Sequence, residues 1–254
     1  MKRREGFTLT ELLVGIPVFV LLGTLLFASL DDAKQKLQAS QCLNNMRQWG
    51  LAFEMYANEY NDYLPWTGSS TPISSGFSLN AWFNILPHYM NQPGLSKLYS
   101  SSLLNVPLPG TRSLYICPSA PAISNMSVTA ANPYFSYAMN RVMTGLSGRV
   151  YKRSIAAFPG QVILLSESEN NQYPFTDGFY IGVFSSEANQ IPPGNAPRHF
   201  AGRNFVFVDG HAAWYGTNDY SRTKAESTNA NIEWAKPRVL YWFPCGNPDL
   251  CNKT

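Results

Sequence analysis

His199, Asp209 and His211 fall in one run, Arg198-His199-Phe200-Ala201-Gly202-Arg203-Asn204-Phe205-Val206-Phe207-Val208-Asp209-Gly210-His211. Imidazole and carboxylate are natural partners, as metal ligands or as a base and the acid that orients it. A structural reading competes with the chemical one. Asp209 would satisfy the backbone of a turn, and His199 would hydrogen-bond across a hairpin. The structural reading is favoured, because the sequence offers no obvious nucleophile, no glycine-rich phosphate loop and no motif of paired carboxylates. Glu167 and Glu169 flank Ser168, and alternation at a strand end accounts for them. No metal, cofactor or enzymatic activity is expected.

Cysteine is the other residue type with chemistry to offer. Cys42, Cys117, Cys245 and Cys251 contain no CxxC pair and no Cys/His spacing that argues for zinc. Cys245 and Cys251 enclose Gly-Asn-Pro-Asp-Leu, a short turn-rich loop that favours local pairing. That pairing would leave Cys42 with Cys117. Four free, buried thiols are the alternative.

A sheet and a helix must position these groups. Asp209-Gly210 lies between two apolar runs, 204–208 and 211–215, and reads as a two-residue type I′ turn with positive φ at both positions. That register sets Phe207 against Ala212 and Phe205 against Trp214. Shorter apolar segments occur at 113–117, 134–139 and 178–184. Residues 161–166 read as a buried strand and 239–243 as a final one. Residues 67–80 read as a loop and 81–90 as a short helix ending near Pro87. Upstream, Cys42, Met46, Trp49, Phe53, Tyr56 and Tyr60 recur at alternating spacings of four and three, an apolar stripe along one helix face. The expected fold class is α+β: a long N-terminal helix packed on an antiparallel β-sheet head.

That helix begins much earlier. A basic leader, Met1-Lys2-Arg3-Arg4-Glu5, precedes Gly6-Phe7-Thr8-Leu9-Thr10-Glu11-Leu12-Leu13-Val14, and residues 12–30 carry no charge. Such a run is near the length that spans a bilayer as helix. A carboxylate at its start, Glu11, is costly there without a partner. A plain membrane anchor or a cleaved secretory signal would explain the length alone. Lys2, Arg3 and Arg4 place the leader in the cytoplasm and the residues beyond the span outside, where an even number of cysteines suggests disulfides. A helix from residue 7 to about 61 would be roughly 80 Å long, bent at Pro17. The organisation expected is a leader at 1–6, a transmembrane or filament-core helix at 7–30, an amphipathic continuation at 31–62 and a globular head at 63–254.

Charged residues are 14% of the chain and the net charge is +3. Lys2, Arg3, Arg4 and Glu5 carry +2 of it, so the processed chain holds +1, too little for a nucleic-acid footprint.

Basic leader, Gly6-Phe7 and Glu11 at the fifth position after Gly6 together resemble the class III signal of type IV pilins and type II secretion pseudopilins. The resemblance implies cleavage after Gly6 by a prepilin peptidase and methylation of Phe7. It also implies pairing of Glu11 with the terminal amine of a neighbouring subunit. His199, Asp209 and Gly210 resemble the H-x9-DG motif of prepilin-type proteins. The segments Cys42-Leu43-Asn44-Asn45-Met46-Arg47-Gln48-Trp49-Gly50-Leu51-Ala52 and Ile116-Cys117-Pro118-Ser119 are similar to that group as well. The partners implied are the prepilin peptidase, copies of itself or sister pilins and pseudopilins, and an inner-membrane assembly platform. The location implied is the inner (cytoplasmic) membrane, single-pass, with the head outside the cytoplasm, before assembly into a cell-surface or periplasmic filament. The alternative is a membrane-anchored binding protein, for polysaccharide through Tyr60, Trp66, Trp82, Trp234 and Trp242. Major pseudopilins resemble one another in a C-terminal calcium loop. Asp249 alone, with Asp219 and Glu226 further back, falls short of calcium's oxygen count.

Overall fold

The computed structural model describes residues 8–68, 79–101, 106–108, 110–120, 134–144, 151–167, 183–184, 198–220, 226 and 229–246, with the backbone alone at 25–29, 101, 141, 144 and 183–184. Gly6, Phe7, Glu169, Asp249 and Cys251 lie outside these. The chain divides into two compact units, Met1–Gln38 and Ala39–Thr254.

Helix α1 runs from Leu9 to Glu59, with Pro17 inside it. Its first turn is a capping box. Glu11 Oε2 accepts from the backbone N–H of Thr8 at 2.8 Å and from its hydroxyl at 2.7 Å, while Glu11 N–H donates to Thr8 Oγ1 at 3.3 Å. Two orphan donors of the helix start are satisfied reciprocally. The other end stops at Asn61 and Asp62, both left-handed with φ of 54° and 72°. Asp62 N–H reaches back to the Ala57 carbonyl at 2.7 Å, closing the last turn.

In the first unit, every Leu, Val, Ile and Phe from residue 9 to residue 22 is exposed. These are consecutive enough to cover all sides of the helix. Among the described residues no helix is long and apolar enough to cross a membrane. The side chains of 25–29, inside the uncharged run, are not among those described.

The second unit is α+β. Its sheet has strands β1 (Tyr137–Asn140), β2 (Ile163–Glu167), β3 (Val183–Phe184), β4 (Gly202–Phe207) and β5 (Ala212–Gly216), in the order β3-β1-β2-β4-β5. β1, β2, β4 and β5 are antiparallel neighbours, and the two-residue β3 lies parallel to β1. The expected all-antiparallel sheet therefore gains one short parallel edge. Cys42, Met46, Trp49 and Phe53 are fully buried, so the stripe read from helical spacing is the core face of α1. Tyr56 is half-buried and Tyr60 exposed, their rings stacked at 4.3 Å. The sheet is covered on both faces. Tyr137, Met139, Leu165 and Val206 join the α1 side. Ile163, Phe205 and Phe207 pack with Tyr220, Leu240 and Trp242 on the other.

Short helices complete the head. α2 (Trp82–Ile85) continues into a 3-10 turn (Leu86–Met90), followed by α3 (Leu95–Ser101), α4 (Thr217–Tyr220) and α5 (Ala230–Glu233). Trp82 and Trp242 are core residues, Trp66 and Trp234 half-buried.

Two expectations need correction. The β4–β5 register pairs Val206 with Ala212, Phe205 with Ala213 and Asn204 with Trp214, one residue away from that expected. A type I′ turn needs two positive φ values, and only Gly210 has one, at +82°. Gly210 N–H donates to the Phe207 carbonyl and Phe207 N–H to the His211 carbonyl, both at 2.9 Å. This is the three-residue loop in which a left-handed glycine forms a bulge. Residues 239–243 form no strand. Tyr241 makes one isolated parallel bridge to Val162, and an apolar run can be buried without a ladder.

Candidate functional site

Asn45 and Trp49 project from α1 toward residues 113–117. Asn45 Nδ2 lies 3.0 Å from the Ser113 carbonyl and 3.1 Å from that of Ile116, and Trp49 Nε1 donates to the Leu114 carbonyl at 3.1 Å. The segment, expected as one of the short apolar runs, is a chain of turns held by these bonds. It delivers Cys117 to the neighbourhood of Cys42.

Glu167 is the last residue of β2, paired with Tyr137 of β1. His199 precedes a tight turn in which Phe200 and Ala201 have φ of 48° and 61°. Its closing bond runs from Gly202 N–H to the His199 carbonyl at 2.9 Å. Two positive φ values make this the type I′ turn of the chain's H-x9-DG segment. Neither residue favours that region, so the turn is held from outside. Trp214 Nε1 donates to the His199 carbonyl at 2.8 Å, and the Thr217 hydroxyl to that of Ala201 at 2.7 Å.

These elements bring Cys42, Cys117, Glu167 and His199 together. One ligating atom from each lies within 4.8 Å of all the others, and all four residues are buried. Glu167 Oε1 accepts from Cys42 Sγ at 2.7 Å and from Asn204 Nδ2 at 2.8 Å. It lies 2.9 Å from His199 Nε2, and the same nitrogen is 3.4 Å from Cys117 Sγ. Asn204 N–H approaches the other carboxylate oxygen at 3.4 Å. The Tyr137 hydroxyl sits 3.6 Å from Cys42 Sγ and accepts from Asn45 Nδ2 at 3.1 Å.

Burial alone would push the Cys117 thiol up, but hydrogen bonds from Cys42 and His199 pull it down to about 6. Burial, the bond to Cys117 and the Glu167 charge push Cys42 well above the usual thiol range. Burial opposes the charged forms of His199 and Glu167, yet their mutual contact and Cys117 raise His199 to about 9, and His199 holds Glu167 low. Half-buried Arg198 adds a positive charge felt by Cys117 and Glu167.

Cysteine, histidine and a carboxylate are also the members of a hydrolytic triad. The arrangement is not one. A triad histidine uses opposite ring nitrogens for nucleophile and carboxylate, whereas here Nε2 faces both. Cys42 and Cys117 are 0% exposed, and a nucleophile must meet its substrate. Two thiols, an imidazole and a carboxylate are instead residue types that hold a metal.

The remaining expected sites fall elsewhere. Asp209 Oδ1 accepts from His211 N–H at 3.2 Å and contacts His211 Nδ1 at 2.6 Å, and the His211 ring stacks on Phe207 at 4.3 Å. His199 turns away from this pair toward Cys117 and Glu167. Cys42 and Cys117 are neighbours, as their expected pairing required, but both are free thiols, with Glu167 and His199 as their partners. Cys245 is disulfide-bonded. Glu226 pairs with Lys236 at 2.9 Å and with Arg238, and Asp219 Oδ2 accepts from Gly216 N–H at 3.0 Å.

Glu167 is the residue sequence reasoning missed. Its signal was a carboxylate closing the apolar run Val-Ile-Leu-Leu-Ser, since a fully buried glutamate needs partners.

No curated protein and no solved structure matches the chain. A family model described as "Protein of unknown function (DUF1559)" matches residues 33–195. That stretch holds Cys42, Cys117 and Glu167 and stops short of His199. It covers well over half of the 254 residues, and the chain belongs to this family.

Proposed function

We propose that the chain is a structural, prepilin-like subunit of a type IV pilus or type II secretion pseudopilus. Prepilin peptidase removes residues 1–6, the apolar part of α1 holds the chain in the inner membrane, and the same surface packs against copies of itself or sister subunits during assembly. The observation that carries this reading is the exposure of every large apolar side chain from residue 9 to residue 22, on all sides of the helix. A helix apolar all round belongs in lipid or among other helices. The basic leader, Gly6-Phe7 and Glu11, which resemble a prepilin-type signal, support it further. The role is structural rather than enzymatic.

Processing is the first test. The chain extracted from membranes should begin at a methylated Phe7, and Gly6→Val should leave it uncleaved. A start at Met1 or beyond residue 29 would refute the reading.

A further inference from the structure

We infer that Cys42, Cys117, Glu167 and His199 form a structural zinc site inside the head. The inference does not rest on the subunit reading above.

Four ligands come from four separate places: the middle of α1, the turn at 114–117, the end of β2 and the turn before β4. Their ligating atoms nevertheless converge within 4.8 Å in a buried volume. Separate hydrogen bonds explain this poorly. His199 Nε2 faces a thiol and a carboxylate at once, at 3.4 and 2.9 Å. One ring nitrogen carries at most one proton to donate. Three donors also crowd onto the single oxygen Glu167 Oε1. Atoms that all point at one another point at a common centre.

The donor set selects the ion. Two sulfurs, one imidazole nitrogen and one carboxylate oxygen suit a tetrahedral, borderline-soft dication, and all four positions are filled by protein, as in structural zinc sites. Zinc–ligand distances of about 2.0–2.3 Å give tetrahedron edges of about 3.3–3.8 Å. The contacts of 2.7 and 2.9 Å lie below those edges and that of 3.4 Å lies within them, so these pairs need to shift by less than an ångström. Outer partners that would orient the ligands are in place: Asn204 on the Glu167 carboxylate and Tyr137 beside Cys42. Two thiolates and a carboxylate exceed the charge of the dication by one, and Arg198 offsets that excess. Zinc uptake releases two protons, one held by Cys42 and one shared by the Cys117–His199 pair. The site would tie α1 to the sheet and would keep both thiols from oxidising.

The competing fate of two neighbouring thiols is a Cys42–Cys117 disulfide. The test uses the full-length chain purified in detergent without reductant or chelator. Elemental analysis should find about one zinc per chain, with both thiols alkylatable only after chelation and unfolding. Cobalt exchanged for zinc should show the strong visible bands of a tetrahedral site and thiolate charge transfer in the near ultraviolet, a readout that needs no variant. Asn204→Ala, which keeps all four ligands, should weaken zinc binding about tenfold or more. Overturning results are a Cys42–Cys117 bridge in the purified chain, or reduced thiols that retain no zinc after dialysis against zinc salt and give cobalt no charge-transfer band. A zinc-bound chain absent from filaments would sink only the subunit reading, and a zinc-free chain inside filaments only this one.

Discussion

The carbonyl oxygen of Gly210 occupies the place where a side chain on Gly50 would go. A Cβ at Gly50 would run into that oxygen and come within 3.1 Å of the Gly210 carbonyl carbon and of Val206 Cγ1. The turn of the H-x9-DG segment thus docks on α1 through two glycines, one on each side. Gly210 is also left-handed, and a Cβ there would strike the Glu54 side chain.

Gly50→Ala sets two effects against each other. Helix propensity favours alanine by about 1 kcal/mol. Displacing a backbone carbonyl from a packed contact costs about 1–3 kcal/mol, and backbone cannot swing aside as a side chain can. Net destabilisation is expected, read as a lower urea midpoint with an unchanged m-value. Gly210→Ala should cost at least as much, since it adds a positive-φ penalty. A more stable Gly50→Ala chain would show that the docked turn gives way.

Glu11 has two candidate roles that its variants separate. Glu11→Gln keeps the capping box with Thr8, because an amide oxygen accepts the same bonds, but removes the charge. Glu11→Ala removes both and loses about 1 kcal/mol of capping. In competition with wild-type copies, both variants should be excluded from sheared filaments if the charge registers subunits. Normal entry of Glu11→Gln alongside exclusion of Glu11→Ala would make Glu11 a helix cap only.

Asp62 accepts from Arg153 Nε at 2.8 Å and from Ser154 N–H at 3.0 Å. Partial burial opposes its charge, but these donors win and hold its carboxyl below the usual 3.8. A depressed folded pKa adds stability above the unfolded value and loses it as pH falls through the folded one. Asp62→Asn keeps the left-handed backbone at φ 72°. It should cost about 1 kcal/mol or less near pH 7, since the half-buried pair is still reached by water. The gap between the unfolding midpoints of variant and wild type should narrow once pH drops below 3.8. A constant gap down to strong acid would mean that packing, not charge, sets the difference.

Peptide mapping of the unreduced, unfolded chain, with any bound metal chelated, should recover Cys245 in a bridge and Cys42 and Cys117 as alkylated thiols. A bridged peptide joining Cys42 to Cys117 would contradict the arrangement at the site.

What the sequence revealed and what it hid divide along physical lines. Cys42, Met46, Trp49 and Phe53 were legible because a buried helix face repeats at 3.6 residues, a local property. The Asp209-Gly210 turn was legible as a turn but not in its register, because one left-handed residue and two give different hairpins. The left-handed pair Phe200 and Ala201 left no trace, since neither residue type favours that backbone and the bonds from Trp214 and Thr217 that hold it come from β5 and α4. The cluster around Glu167 was illegible for the same reason. Its four members are distant in sequence and meet only once Asn45 and Trp49 have docked residues 113–117 on α1.

The central claim, a processed subunit that enters filaments through α1, is tested most directly by shearing filaments from cells and determining the N-terminus of this chain in them. The chain should be present and should begin at methylated Phe7. Recovery of the chain only in the membrane fraction, or in filaments with Met1 still attached, would contradict the claim.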